Sequence, residues 1–299
     1  MKLYYFKDPN GNFGDDLNPW LWDKLLPNFF DNDDKEIFVG IGTLINHRLP
    51  AEPIKHIFGS GFGYGTPPVI DDQYRVHAVR GYLTAERLGI SKSLVITDAA
   101  ILLRTIYKPA QKPEGRRIGF IPHCQSSRYF DWARVCEDLQ LEYISAEWDV
   151  ERVLSAISSC EAVVCEAMHG AIAADTLRVP WIPVVCYDYI SRFKWEDWLS
   201  TLGISYKPHT ITSLYDIERD SSSSVKAKNK IKRALQNTPF WSKNWTPPPP
   251  RKTSSEMYDK AIFDLKAALQ GERYLSNPEV IESHTSRYMD LIDSILSNR

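Results

Sequence analysis

The chain has 299 residues, which is enough for two domains of about 150 residues each. Its 43% apolar and 25% charged residues are the usual shares of a globular protein. The 36 Lys and Arg against 38 Asp and Glu give a net charge of −2, which excludes a protein built as a whole to bind nucleic acid.

The five Cys residues include no CxxC pair, so their spacing does not indicate a structural zinc site. Scattered single Cys residues are typical of a reducing compartment. The N-terminal MKLYYFKDPN is only briefly apolar, and no stretch approaches the ~18 apolar residues of a membrane span. We therefore expect a cytoplasmic protein.

Residues 1–108 alternate between strand and helix patterns. Asn18 is a candidate helix cap with Pro19 at the first helical position, and Gly89 is placed to end a short helix. The predicted strands are 2–6, 37–44, 56–63, 74–81 and 94–98, and the predicted helices are 18–26 and 83–89. Apolar runs separated by short helices favour a parallel sheet.

The stretch 107–115 contains two Pro and a Gly, and we interpret it as a linker. The same alternation then resumes over 116–212. The predicted strands are 116–123, 141–146, 161–167 and 181–188, and the predicted helices are 129–140, 150–160, 168–178 and 193–203. Two successive βαβ domains predict an α/β protein whose ligand lies in a cleft at the carboxyl ends of the strands.

Residues 213–299 form a third segment, a basic linker followed by helical patterns over 256–270 and 278–296. Between 221 and 255 there are eight Lys or Arg and no acidic residue. Apolar residues lie among the lysines of VKAKNKIKRALQN, and Trp241 and Trp245 follow. One interpretation of 225–252 is a contact with an anionic membrane surface, and the other is a solvated helix with a Pro-rich connector.

The strongest local pattern is CEAMHGAIAADTLRVPWIPV, residues 165–184, in which a strand ends near Glu166 and a helix begins near His169. Free N–H groups and the helix dipole at that end can hold an anion and favour a neutral imidazole, which can act as a base. Gly170 would let a substrate approach the backbone. The alternative is that His169 only caps the helix.

A second pattern, NFGDDLN, follows the first predicted strand. Gly14 permits a tight turn near a ligand, and Asn12 and Asp15 could orient hydroxyl groups. The pattern is neither GxGxxG nor GxxxxGK[ST], so it does not predict a dinucleotide or P-loop site. An Asp- and Asn-rich turn with a capped helix is the other interpretation. We place Glu166 in the same cleft.

Cationic residues follow several predicted strands and would face the cleft together, as a multiply charged anion requires. The candidates are Arg80, His123, Arg128, Arg192 and Lys194.

These segments occur in an order that resembles the polysaccharide pyruvyltransferases. The similarity is carried over roughly residues 1–205 by NFGDDLN, AVRGYLTAERLG, VITDAAILL, IGFIPH, EAMHGAIAADTLRVPWIPV and SRFKWEDWLSTLGI. It implies two Rossmann-like domains arranged as in B-type glycosyltransferases. It also implies transfer of pyruvate from phosphoenolpyruvate onto two hydroxyls of one sugar, with a glycan or lipid-linked oligosaccharide as acceptor and no metal.

The family's central His corresponds to His169. Many members carry a Ser-x-Arg-x-His-Gly pattern, and this chain has Cys165 and Ala167 in place of the Ser and the Arg. Another cation must then hold the phosphate or carboxylate, for which we expect Arg80, Arg128 and Lys194, with His123 and Gly170 in the same donor site. An acceptor at the inner face of the cytoplasmic membrane would explain the basic stretch.

Two other functions share parts of this pattern. A B-type glycosyltransferase would use the same architecture to bind a nucleotide sugar. A non-catalytic carbohydrate-binding protein would use the aromatic residues as stacking platforms.

Overall fold

The computed structural model describes residues 1–31, 33–109, 115, 117–216, 223–236, 238–241, 245, 248 and 253–297. Most of the predicted linker 107–115 and part of the basic stretch 225–252 lie outside the described residues.

The first sheet contains four parallel strands in the order of the chain, β1-β2-β3-β4. They are β1 (Lys2–Tyr4), β2 (Glu36–Val39), β3 (Ile54–Phe58) and β4 (Tyr74–Ala78). The helices of this half are α1 (Phe13–Leu25), α2 (Tyr82–Leu88) and α3 (Leu103–Ile106). Gly89 ends α2 in the left-handed conformation, at φ 65°, as predicted.

The second sheet has five parallel strands in the order β6-β5-β7-β8-β9. They are β5 (Ile118–Ile121), β6 (Glu142–Tyr143), β7 (Ala162–Cys165), β8 (Trp181–Val185) and β9 (His209–Thr210). The helices are α4 (Cys124–Tyr129), α5 (Trp132–Leu139), α6 (Val150–Ser159), α7 (Met168–Thr176) and α8 (Arg192–Leu199). The predicted fold class, two Rossmann-like halves with parallel sheets, is confirmed.

The start of α1 corrects the prediction of a helix over 18–26. Asn12 is the cap, and its Oδ1 accepts the N–H of Gly14, so Pro19 lies inside the helix. Pro19 has no N–H for the carbonyl of Asp15. The Asn18 Nδ2 donates to that carbonyl at 3.0 Å, so an Asn beside the proline keeps the helix continuous.

Two other predicted elements differ in the structure. The strand predicted over 94–98 is reduced to a single bridge between Val79 and Val95, and a 3-10 turn follows at Ala99–Leu102. The helix predicted over 129–140 is present as α5 but begins at Trp132, because the chain is extended at Phe130, and Tyr129 ends a separate helix, α4, that the sequence did not predict.

The C-terminal segment is helical, as predicted, and it returns to the first half of the chain. Its helices are α9 (Ser223–Leu235), α10 (Ser255–Leu269) and α11 (Pro278–Ser297). α10 packs against the second sheet, whereas in α11 the Tyr288 hydroxyl donates to the carbonyl of Thr97.

The two sheets share one apolar core. A single cluster of buried side chains contains Leu17 of α1, Phe58 of β3, Val163 of β7 and Ile172 of α7. This shared core brings the carboxyl ends of both sets of strands to one place.

Candidate functional site

A cavity of about 530 Å³ lies at the carboxyl ends of both sheets. The segments after β1, β2, β5 and β7 supply its walls, and α8 closes one side. Eight of the predicted site residues line it: Asn12, Gly14, Asp15, His123, Arg128, Glu166, His169 and Lys194. This is the cleft position that the βαβ pattern predicted.

His169 lies in the first turn of α7, and 16% of its side chain is exposed. Its Nε2 lies 3.6 Å from Oδ2 of Asp98, which is fully buried at the end of the first half. Both atoms are buried and have no hydrogen-bond partner among the described residues. They are too far apart for a hydrogen bond in this geometry, but a shift of under 1 Å would make one.

Gly14 allows the His169 ring to reach the first turn of α1. A Cβ at position 14 would lie 2.2 Å from the His169 Nδ1, so any larger residue would displace the imidazole. The space beside Gly14 is therefore filled by the His169 ring, whereas the sequence predicted that a ligand would lie there. The Nδ1 edge of the ring faces α1, whereas Nε2 faces Asp98.

Asp15 stands in the same turn of α1, where its Oδ2 accepts a hydrogen bond from the Asn12 Nδ2 at 2.6 Å. Burial raises the pKa of Asp15 from 3.8 to about 6, against the opposing attraction of His169 and Lys194. A carboxyl with that pKa exchanges protons close to neutral pH.

His123 lines the cavity but is not the cation that the sequence suggested. Burial, assisted by the nearby charges of Lys194 and Arg128, lowers the pKa of His123 to about 3. Its Nδ1 accepts the N–H of Gln125, which places the proton of the neutral ring on Nε2. His123 can donate a hydrogen bond to an anion, but it carries no positive charge there.

Glu166 lies in the cavity wall and holds neighbouring strand ends together. Its side chain is buried and accepts the N–H groups of His123 and Cys186 as well as the hydroxyl of Ser126. Those bonds join the ends of β5, β7 and β8, so the carboxylate holds the cavity wall in place. Glu166 thus lies in the predicted cleft, and these hydrogen bonds are all to the protein itself.

Arg128 joins the two halves of the molecule. Its Nε donates to Glu147 at 2.7 Å and its Nη2 donates to Asp8 at 3.0 Å. Both carboxylates neutralise the guanidinium, which leaves less of its charge for a substrate than the sequence suggested.

Lys194 projects from α8 into the cavity. Its Nζ donates to the Tyr64 hydroxyl at 2.8 Å, and no carboxylate pairs with it in the part of the chain that the structure describes. Gly63 makes room for the lysine stem, because a Cβ there would lie 2.7 Å from the Lys194 Cγ. Lys194 is thus a cation available to an anionic ligand.

Arg80 does not line the cavity, contrary to its predicted place in the donor site. It is fully buried, and its Nε donates to Asp197 of α8 at 2.9 Å. The same guanidinium donates to the Thr43 hydroxyl and the carbonyl of Phe62. The pattern of a strand that ends in Arg correctly places Arg80 near the carboxyl end of the first sheet. Its ion-pair partner, Asp197, lies 117 residues away in the sequence, so no local pattern could show that the pair forms.

Gly170 is also used for packing. A Cβ at this position would lie 2.8 Å from Ile121, so the glycine lets α7 pack closely on β5. It is buried, and its predicted role in substrate approach does not fit this placement. In the glycine-rich 59–65, Gly61 likewise lies against the guanidinium of Arg80.

Several residues that line the cavity were not predicted from the sequence patterns. Two are further cations, Lys7 and Arg48, which are exposed and have no carboxylate partner among the residues described here. Others are aromatic, and among them Phe6 and Tyr64 are 56% and 43% exposed. Phe6 could have been indicated by its position just after β1, whereas Tyr64 lies six residues beyond the end of β3.

Other classes of site find little support in the described part of the chain. No three His, Cys, Asp or Glu side chains there converge as metal ligands would. All five Cys are buried and unpaired, and burial raises the pKa of Cys124, which lines the cavity, to about 11. No described helix is long and apolar enough to cross a membrane.

Comparison with known proteins agrees with the resemblance drawn from the motifs. A family model described as polysaccharide pyruvyl transferase matches residues 5–189. The succinoglycan biosynthesis protein ExoV of Rhizobium meliloti (strain 1021) is 41% identical over 223 residues, which cover 71% of this chain and 68% of that protein. An uncharacterized protein, L143 of Acanthamoeba polyphaga mimivirus, is 28% identical over 230 residues, which cover 64% of this chain and 73% of that protein.

No solved structure matches the chain. The family model covers more than half of the chain and includes both His169 and the first turn of α1. These matches, together with the cavity at the ends of two parallel sheets, show that the chain belongs to the polysaccharide pyruvyl transferase family.

Proposed function

We propose that this protein transfers the pyruvyl group of phosphoenolpyruvate to two hydroxyls of one sugar residue and thereby forms a cyclic ketal. The observation that carries the proposal is the position of His169, which lines a cavity with the buried Asp98 3.6 Å from its Nε2 and with Lys194, a cation without a carboxylate partner in the described chain, in the same cavity wall. The family and the name of the rhizobial relative support a glycan of exopolysaccharide synthesis, or its lipid-linked precursor, as the acceptor.

The donor carries a phosphate and a carboxylate, and the cavity offers matching charge. Lys194, Lys7 and Arg48 are cations without carboxylate partners in the described chain. Ala167, in the place of the family Arg, gives no side-chain cap to α7, which leaves the first N–H groups of this helix to bind anionic oxygens. Charge-assisted bonds of this kind are the strong ones.

The reaction needs one group that first gives and then takes a proton. In the proposed sequence, protonated His169 gives its proton to the methylene carbon of phosphoenolpyruvate, and C2 becomes oxocarbenium-like. One sugar hydroxyl attacks C2 and returns its proton to His169. The second hydroxyl then displaces the phosphate from C2, and its proton leaves with the phosphate. The products are the ketal and inorganic phosphate.

Asp98 and Asp15 can assist these reaction steps without reacting with the substrate covalently. The buried Asp98 carboxylate lies 3.6 Å from Nε2, and a small shift would let it accept a hydrogen bond from the imidazolium and stabilise it, while the Nδ1 edge faces the first turn of α1 in the cavity wall. Asp15, whose pKa is about 6, can relay the proton of the second hydroxyl. The sequence of steps uses no metal, so we expect a chelator to leave the rate unchanged.

The size of the cavity supports an acceptor larger than a single small molecule. A volume of about 530 Å³ falls in the range of pockets for ligands of drug size, well above the size of phosphoenolpyruvate. The exposed rings of Phe6 and Tyr64 line this cavity. Exposed aromatic rings of this kind suit the C–H face of a sugar.

The proposal is tested by incubating the protein with phosphoenolpyruvate and candidate oligosaccharide acceptors. We expect release of phosphate and, in the mass spectrum, an acceptor heavier by one pyruvate less one water. Thermal shifts with phosphoenolpyruvate and with nucleotide sugars are measured in parallel. A shift with a nucleotide sugar alone, together with glycosylated product, would assign a glycosyltransferase instead.

A further inference from the structure

Helix α9 is an exposed element of the molecule. None of its described side chains is buried, and Ile231 at its centre is 60% exposed. An exposed branched apolar side chain alone is ordinary on a protein surface. Its neighbours along the helix make this one unusual.

The apolar residues of α9 share one face. Ala227, Ile231, Ala234 and Leu235 follow the spacing of four, three and one residues, which places them along one side of a helix. Lys228 and Lys230 flank this stripe on its two sides, and both are exposed. We call these six residues the α9 surface. Beyond the helix, Phe240 is 78% exposed and Trp245 is 39% exposed.

The stretch of sequence that contains α9 carries charge of one sign. The stretch 221–255 has eight Lys or Arg and no acid, whereas the whole chain has a net charge of −2. A stretch of this charge repels another basic surface and attracts an anionic one over about a Debye length. A second copy of this chain would bring a second basic surface against the first.

We propose that the α9 surface binds the headgroup region of an anionic lipid bilayer. The helix lies along the surface, its apolar stripe enters the boundary of the acyl chains, and the flanking lysines meet the lipid phosphates. Phe240 and Trp245 suit the same depth, because aromatic side chains favour the interface between lipid and water. Lipid phosphate and basic side chains supply the complementary charge.

The test is co-sedimentation of the full chain with vesicles, without any substrate. We expect binding to vesicles of phosphatidylglycerol and phosphatidylcholine, and no binding to phosphatidylcholine alone. Because the lysines act through charge, binding weakens as salt is raised. The double variant Lys228→Glu, Lys230→Glu should weaken binding about 30-fold or more. Ile231→Asp should weaken it about tenfold or more, since it removes the apolar anchor.

Matched controls use residues outside the α9 surface. Lys92→Glu, Lys266→Glu changes the net charge equally, and Phe263→Asp places a charge at a side chain that is 70% exposed on α10. Both controls should bind as the parent does. Thermal unfolding should be unchanged in every variant, since α9 buries none of its described side chains.

Three results would overturn the proposal. One is no binding to anionic vesicles at low salt, where the attraction is strongest. Another is equal loss of binding in the control variants. The third is a dimer in solution that Ile231→Asp disrupts, with no vesicle binding. None of these measurements depends on phosphoenolpyruvate, so they remain separate from the test of pyruvyl transfer.

Discussion

The two halves of the cavity are built differently. In the second sheet, helices follow β5, β6, β7 and β8, and the polar residues of the site come directly after the strands. In the first sheet, only β1 is followed by a helix before the next strand, and residues 40–53 and 59–73 run through loops. The second half therefore presents several helix N-termini, whereas the first half supplies one, the start of α1, and loops that complete the cavity.

This difference determines how each half contributes chemistry. His169 comes from the second half and can be recognised from its strand, helix and glycine. Its partner Asp98 comes from the first half, where it caps the 3-10 turn at Ala99–Leu102. The proposed acid–base pair thus exists only when the halves are together, and the largest predicted effect tests that dependence.

His169→Ala should lower kcat by about 10² to 10⁴, the usual contribution of a general acid or base. Asp98→Asn should lower kcat less, because the ring remains and Asn can still accept the Ala100 N–H. The double variant should equal His169→Ala alone, since Asp98 acts through the imidazole. Multiplying effects in the double variant would show that the two residues act separately.

The sequence predicted the second half better than the first, for a physical reason. The strands β5, β7 and β8 are short and apolar, and each is followed by a helix, so local periodicity determines both the strands and the helices. In the first half, the start of α1 was placed too late, because Pro19 was interpreted as a helix start and Asn18 compensates for it inside the helix. The prediction of a strand over 94–98 was wrong, because these residues form a single bridge and no ladder of hydrogen bonds with a neighbouring strand.

For the site, too, the sequence predicts what local patterns determine and misses what distant contacts determine. Local patterns placed His169, Asp15 and Lys194 in the cleft, and all three line the cavity. Arg80 was placed in the cavity because a strand ends there, but its partner Asp197 is distant in sequence. The sequence also could not show that His123 is uncharged, because it is burial in the folded chain that lowers the pKa of this side chain.

Arg80 tests whether α8 and the first half are joined by a buried ion pair. Arg80→Met should lower the free energy of unfolding by about 3–5 kcal/mol, because it leaves Asp197 buried without its partner. Adding Asp197→Asn should recover part of this loss. Urea unfolding measures both. Arg128→Met, at a partly exposed pair, serves as the control and should lose clearly less.

If Arg80 instead bound the donor, Arg80→Met would keep its stability and lose affinity for phosphoenolpyruvate. That pair of results would contradict the structural assignment.

Asp15 tests the cost of a buried carboxylate in the first turn of α1. Its pKa rises from 3.8 in the unfolded chain to about 6, so folding favours the protonated form. The stability that this proton provides is present below pH 3.8 and lost as the pH rises through about 6. Asp15→Asn removes the ionisation and should raise the free energy of unfolding at pH 8 by roughly 3 kcal/mol.

The increment from Asp15→Asn should shrink toward zero near pH 4, because the parent carboxyl is then largely protonated. Urea unfolding of both proteins at pH 4, 6 and 8 measures it. An increment that stays constant with pH would show that the pKa of Asp15 is not raised.

Lys194 tests whether the cation on α8 replaces the family Arg absent at Ala167. Lys194→Met should weaken phosphoenolpyruvate binding about tenfold or more, since a hydrogen bond to a charged group is lost. Isothermal titration measures the dissociation constant. Lys24→Met is the control, because Lys24 pairs with Glu151 and does not line the cavity. Equal binding in both variants would place the donor anion elsewhere.

Phe6 tests the loop side of the cavity, which we assign to the acceptor. Its ring is 56% exposed just after β1, and covering it with a sugar would remove apolar surface from water. Phe6→Ala should raise the KM for the oligosaccharide about fivefold and leave that for phosphoenolpyruvate unchanged. Phe263→Ala, at a ring 70% exposed on α10 outside the cavity, should change neither constant. A rise in the KM for phosphoenolpyruvate instead would assign the loops of the first half to the donor, and the division of labour between the two halves would be reversed.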